Sequence, residues 1–467
     1  MIHFPVEKIK GALVSDLGGL IAIESIKGGA EPQKPFGPGP EEALRYMLEK
    51  AEKMGLETKN MQGYLGYAQA GEGEQMLALL MHLDVVPAGD GWLSEPFSLC
   101  MKGDKLYGRG IADDKGPAMA ALYALKLVLD AGYRLNKKVR LYFGCDEESG
   151  WEDIAYLKQH EKEPDMVISP DGGFPIVNRE KGLLELRLSR SAGIVGQGAV
   201  YIRSIDAGTR PNIVPDVASC RLGGAPVRLI AQMAEVFAEG IPAKIEVFGE
   251  DGDVLVRSYG VAAHGARPHL GVNALSYLVA FLNVLPLSEG AAEEFVYALA
   301  KYLGTEYDGE RLGLAAEDAL TGPLTLNLGM LKFDGKEIWA TLDCRYPICM
   351  EGGGVEEKLR EAFSKEGMKV ERIQAQPSHY VPEESALVSA LKEVYEDCTG
   401  QKAQCMSTAG ATYARAFRES VAFGPLPVGK ENGKHGPNEF LEMKELLDLT
   451  QILANAIVKL AAEPQDR

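Results

Sequence analysis

A chain of 467 residues is too long for one compact core and predicts two or three domains. Its 46% hydrophobic and 25% charged content is that of an ordinary globular protein, and a formal net charge of −18 speaks against nucleic acid as a partner. Seven cysteines without a C-x-x-C pair argue against a disulfide framework, and no apolar run approaches a membrane span. With no signal-peptide pattern near the first residues, the expected location is the cytoplasm.

Residues 5 to 25 predict an amphipathic helix, with Val6, Ile9, Leu13, Leu17 and Ile21 at helical spacing. A Gly/Pro-rich loop follows over 28–40, and Pro40 then opens a helix to about Met54. Met76 to Leu83 is a near-continuous apolar run, the pattern of a strand buried on both faces. It delivers His82 and Asp84 to its C-terminal end. After a loop with a short hairpin come IADDKG and a helix from Pro117 to Ala131. A buried strand, Val139 to Cys145, ends in the acids Asp146, Glu147 and Glu148. A helix over Glu152–His160 and a strand over Met166–Ser169 lead to Pro170 and Asp171. Alternation of strand and helix predicts a mostly parallel sheet.

From Leu183 the texture changes to period-two strands, as in LLELRLS, recurring to about residue 375 with helices near 226–239, 272–285 and 354–366. A short echo between Asp216–Leu222 and Trp339–Tyr346 points to two related halves, although chance explains so short a match equally well. Beyond 380 lie a helix near 384–397, the stretch STAGATYARAF, the loop GPLPVGKENGKHGPNE and a final helix from about Leu441 to Ala462. The expected fold is α/β. A discontinuous α/β domain (1–182 and 381–467) with a mostly parallel sheet is interrupted by an α+β insert (183–380), the parts that the resemblance described below makes a catalytic domain and its lid domain.

Three adjacent acids at a strand end repel one another and are costly to desolvate unless a cation sits among them. Taken alone, such a triplet is more often a solvated turn than a cation site. His82, Asp84, Asp113, Asp114, Glu147, Glu148, Asp171 and His435 all fall where a parallel sheet places its site, beyond the C-terminal ends of strands. Imidazole and carboxylate ligands suit zinc, or manganese and cobalt, and several carboxylates suit a pair of metals.

The strings MHLDVVPAGDGW, GRGIADDKGP, DEESG, SPDGGFP and KHGPNE, in this order and spacing, resemble the co-catalytic zinc peptidases of the aminoacylase, carboxypeptidase G and succinyl-diaminopimelate desuccinylase type. The resemblance covers essentially the whole chain. The long insert, with ADDKGP and TRPNIVPDVA, looks most like the branch of PepV-like dipeptidases and carnosinases. It implies two zinc ions per chain: His82 and Asp171 on one, Glu148 and His435 on the other, and Asp113 bridging. Asp84 would accept a hydrogen bond from the His82 ring. Glu147 would be the general base acting on a water that bridges the metals, and the peptide between Asp113 and Asp114 would be cis.

In the insert, GVAAHGARPHLGVNA resembles the family's lid motif, which makes His264 the donor to the oxyanion; without the family it is a loop histidine. Asn212 and Arg345 match positions that bind a substrate carboxylate, and Gly410 lines the same end of the pocket. On chemistry alone Arg345 is equally a strand residue paired with Asp343. The family usually shows consecutive glycines around Gly410, where this chain has Ala409 and Ala411. The implied activity is hydrolysis of unblocked dipeptides. The alternatives are a deacylase of N-acyl amino acids or a carboxypeptidase, and from another class an inactive peptide-binding relative. The long insert favours a monomer over a homodimer. No nucleic acid or membrane is expected as a partner.

Overall fold

The computed structural model describes residues 1–191, 200–427, 429–430 and 432–463, so positions 428 and 431 of the expected C-terminal loop lie outside the described residues. The chain divides into two compact units, 1–179 with 380–406 and 411–467, and 180–379 with 407–410.

The first unit is built on a mixed sheet. Seven of its nine strands run in the order Glu57–Met61, Leu65–Ala70, Lys138–Gly144, Met76–His82, Met166–Ser169, Ser420–Ala422 and Ile176–Glu180. The four strands from Lys138–Gly144 to Ser420–Ala422 are parallel, and the flanking pairs are antiparallel. All seven residues of Met76–His82 are buried. Leu77, Leu79 and Met81 enter a core with the helices Val6–Ile21, Pro38–Lys53, Lys115–Asp130, Ala386–Thr399 and Met443–Ala461. Met76, Ala78 and Leu80 enter a second core on the other face, with Ile154 and Leu157 of the helix Glu152–His160. Covering on both faces is the physical reason the strand reads as a run without alternation.

The second unit carries an eight-stranded antiparallel sheet. The order is Lys244–Glu250, Asp253–Tyr259, Val217–Gly223, Tyr201–Ala207, Thr325–Phe333, Glu337–Tyr346, Gly182–Ser191 and Lys369–Gln376. Leu184, Leu186 and Leu188 alternate into a core with residues of the helices Val227–Ala238, Ala274–Val284, Ala291–Tyr302 and Gly352–Lys365. The two echoing segments take corresponding places: Val217–Gly223 and Glu337–Tyr346 each stand second from the sheet's midline. Each is followed in the chain by a helix, Val227–Ala238 or Gly352–Lys365, and the next strand in sequence, Lys244–Glu250 or Lys369–Gln376, lies at an edge.

The helix Ala291–Tyr302 was not among the expected elements. Its buried Ala292, Phe295, Val296 and Leu299 do follow helical spacing, and two adjacent acids, Glu293 and Glu294, mark its first turn. No helix among the described residues is long and apolar enough to cross a membrane.

Candidate metal centre

In the first unit, His82 ends one parallel strand, Glu147 and Glu148 follow the next, and Asp171 follows a third. Asp113 precedes the helix Lys115–Asp130, whose N-cap is Asp114. His435 arrives from a loop far along the chain. That loop is drawn in because Phe440–Glu442, just after it, adds a third strand to the hairpin Cys100–Lys102/Lys105–Tyr107.

Glu439 completes the attachment. Its carboxylate is fully buried and accepts hydrogen bonds from the backbone N–H groups of Gly110 (3.0 Å), Ala112 (2.8 Å) and Asp113 (3.2 Å). It also pairs with the buried Arg109 guanidinium at 2.8 Å. Arg109 in turn donates to the Pro87 and Ala88 carbonyls. One carboxylate thus ties the loop carrying His435 to the segment carrying Asp113. Lys115 fixes the other end of that segment, donating from its ammonium to the Leu20 and Ile23 carbonyls at 3.1 and 2.6 Å. Burial pushes its pKa down to about 7.

The ligand atoms fall into two groups, each within 4.8 Å: His82, Asp113 and Asp171, and Asp113, Glu148 and His435. His82 Nε2 is 3.0 Å from Asp113 Oδ1 and 3.5 Å from Asp171 Oδ2. His435 Nε2 is 3.1 Å from Asp113 Oδ2 and 2.9 Å from Glu148 Oε1. Asp113 thus presents one oxygen to each histidine and belongs to both groups. The peptide bond between Asp113 and Asp114 is cis.

His82 Nδ1 donates to the Asp84 backbone carbonyl at 3.0 Å, with Asp84 Oδ1 farther away at 3.5 Å. This fixes the ring so that Nε2 faces the carboxylates. The Asp84 carboxylate instead accepts the backbone N–H groups of Glu147 (3.1 Å) and Glu148 (3.0 Å), holding both glutamates in place. The acid triplet is therefore divided in its work. Asp146 is bound by Lys27 at 2.6 Å and by the Glu152 N–H at 3.0 Å, at the start of the next helix. Buried Asp153 accepts the N–H groups of Cys145 and Asp146 and the Tyr413 hydroxyl, which braces the turn from below.

The electrostatics are those of crowded acids. Burial, opposed by His82 but reinforced by Glu148, Asp171 and Asp113, holds the Glu147 carboxyl well above its usual range. Burial disfavours a charged His435, yet Asp113 and Glu148 outweigh it and push its pKa up to about 11. His82 is raised in the same way by Asp113, Asp171 and Asp84. Asp114 accepts the His82 backbone N–H at 3.1 Å through one oxygen, and its other oxygen is buried with no hydrogen-bond partner among the described residues. Two nitrogens and three carboxylates, one of them shared, form a donor set that fits two divalent cations.

In the second unit, the strand Ile213–Val214 pairs with Ala263–His264, which sets Ile213 opposite His264, and the Asn212 carbonyl accepts the Gly265 N–H at 2.7 Å. Asn212 and His264 are therefore neighbours. The His264 side chain accepts the Ala266 N–H through Nδ1 at 3.0 Å. Buried Asn327, which sequence reasoning passed over, donates to the Pro211 and Ile213 carbonyls at 3.0 Å and so seats the loop bearing Asn212. Arg345 is buried and forked onto Asp343, Nε to Oδ1 at 2.7 Å and Nη2 to Oδ2 at 3.0 Å. Its Nη1 donates to the Ala409 carbonyl at 3.2 Å, beside Gly410, whose N–H donates to Thr408 Oγ1.

The family model for peptidase family M20/M25/M40 matches residues 78–459. A Bacillus subtilis protein named "Putative dipeptidase YtjP" is 36% identical over 98% of this chain and 100% of its own length. A Staphylococcus haemolyticus protein, "Putative dipeptidase SH1171", is 33% identical over 98% of this chain and 99% of its own. Among solved structures, human carnosine dipeptidase 1 shares the fold with a TM-score of 0.60 at 16% identity, covering 97% of each chain. The Saccharomyces cerevisiae dipeptidase Dug1p gives 0.60 at 15% identity, covering 97% of this chain and 96% of its own. On the length of the match and the level of identity, this chain belongs to peptidase family M20/M25/M40.

Proposed function

We propose that this metallopeptidase is a dipeptidase of the PepV-like branch that hydrolyses unblocked dipeptides with two zinc ions, manganese or cobalt being the alternatives. The observation that carries the reading is the pair of ligand groups sharing Asp113, with Glu147 next to Glu148 at the same strand end. The names of the relatives, dipeptidases along their whole length, support the substrate class.

When bound, the two cations would polarise the scissile carbonyl and lower the pKa of the attacking water. Glu147 takes a proton from that water as its oxygen bonds to the carbonyl carbon. It then passes the proton to the nitrogen as the C–N bond breaks. Asp84 keeps Glu147 and Glu148 in register through their backbone N–H groups. His264 is assigned the developing oxyanion, and Asn212, Arg345 and Gly410 the substrate's C-terminal end. The length of the second unit, and seven cysteines that are all free, support a self-contained cytoplasmic monomer.

The test is hydrolysis of a panel by metal-stripped protein before and after adding zinc, manganese or cobalt. Ala-Ala, Leu-Gly, β-Ala-His, N-acetyl-Leu and a tripeptide suffice. Metal-restored cleavage confined to the dipeptides is expected. Cleavage of N-acetyl-Leu instead would make the chain a deacylase, and cleavage of the tripeptide a broader peptidase.

Arg345→Ala is expected to raise KM for free dipeptides by about tenfold or more, the scale of a charge-assisted pair of roughly 1.5–3 kcal/mol, with kcat little changed. A fall in Tm at unchanged KM would confine Arg345 to its pair with Asp343.

A further inference from the structure

The ammonium of Lys434 sits inside the acid cluster. Its Nζ is 2.5 Å from Asp171 Oδ1 and 3.4 Å from Asp113 Oδ2. These are not the oxygens nearest His82, which are Asp113 Oδ1 and Asp171 Oδ2. The group around His82 therefore keeps two carboxylate oxygens free of the ammonium. Asp113 Oδ2 is contested, because it is the oxygen that His435 Nε2 approaches at 3.1 Å. A dication entering between Asp113, Glu148 and His435 would meet a like charge on one of its own ligand atoms. The Lys434 side chain keeps 33% of its surface exposed, so its flexible stem can carry the ammonium outward into water.

We propose that Lys434 is a resident counter-ion: it holds Asp171 and Asp113 together in the metal-free protein, and it competes with the cation of the Asp113–Glu148–His435 group for Asp113 Oδ2. The inference rests on the metal-centre reading above. It makes the two cations unequal, one bound with little interference and the other only as Lys434 withdraws. Lys434 is thus a positioning residue that sets how readily the second cation is held, and it takes no part in bond making.

The test is a calorimetric titration of the chelator-stripped full chain with Zn²⁺, together with its thermal unfolding in chelator. Wild type is compared with Lys434→Met, Lys434→Gln and Lys434→Arg. The expected result is a second binding step tighter by about tenfold or more in the Met and Gln variants, within the range that neighbours of metal ligands command. The first step should be little changed, and Lys434→Arg, which keeps the charge, should not tighten the second. In chelator, the Met and Gln variants should unfold at lower temperature than wild type, because their carboxylates have lost a partner. A weaker second step would mean that Lys434 props Asp171 for the metal and would overturn the competition. An unchanged Tm in chelator would overturn the counter-ion role. A wild-type chain that takes up no Zn²⁺ would sink the metal reading and the competition with it, while the Tm comparison would still decide whether Lys434 holds the carboxylates.

Discussion

Glu147→Gln should leave the protein folded and able to bind its cations while slowing dipeptide hydrolysis by about 10²–10⁴-fold, the usual worth of a positioned general base. The substitution keeps the side chain's shape, and the hydrogen bond to Asp84 comes from the backbone N–H, so the acid turn keeps its anchor. Glu147 is in neither group of ligand atoms, so metal content measured by elemental analysis should match wild type. Glu148→Gln is the contrast, since its Oε1 lies 2.9 Å from His435 Nε2 and belongs to the second group. That variant should lose metal and activity together. If Glu147→Gln also loses metal in proportion to activity, the two glutamates have exchanged roles.

Glu439→Ala should be the most damaging single change away from the ligands themselves. It removes the acceptor of three backbone N–H groups and leaves Arg109 buried without its partner. Breaking a buried pair from one side costs about 3–5 kcal/mol, which a denaturant titration would read as a lower midpoint. The effect should also reach the cations, because Glu439 holds the Asp113 segment against the loop of His435. Weaker metal binding by about 10–100-fold is expected in whatever fraction stays folded. A variant as stable as wild type would remove the clamp from the account of the site.

The strands and most helices were legible because burial leaves a periodic trace. Met76–His82 read as a strand covered on both faces, and Leu184, Leu186 and Leu188 as one covered on a single face. The candidate ligand residues stood out because several of them follow strand ends in a parallel sheet, and because their motifs resemble a known family. What escaped were residues whose work shows only in three dimensions. Glu439 looks like one more surface acid, and nothing in a string tells that its oxygens meet Gly110, Ala112 and Asp113. Asn327 and Asp153 escaped for the same reason, as polar residues within strand or helix sequence. The sequence offered Asp146 together with Glu147 and Glu148 as one acid cluster, and its separate partners, Lys27 from a distant loop and the Glu152 N–H, show only in the folded chain.

The strand Ser420–Ala422 lies between Met166–Ser169 and Ile176–Glu180, both made some 250 residues earlier in the chain. The partner of Glu148, His435, is 287 residues away in sequence. During synthesis the ribosome releases the whole second unit before the chain that fills this gap emerges. The sheet must therefore wait with an interior place unfilled, and its strands' unpaired edges are exposed to other chains in the meantime. A nascent or truncated chain would carry His82, Asp113 and Asp171 but not His435. It would also lack Glu439, whose carboxylate ties down the Asp113 segment, so both groups of candidate ligands take their final form only after this late stretch has been made.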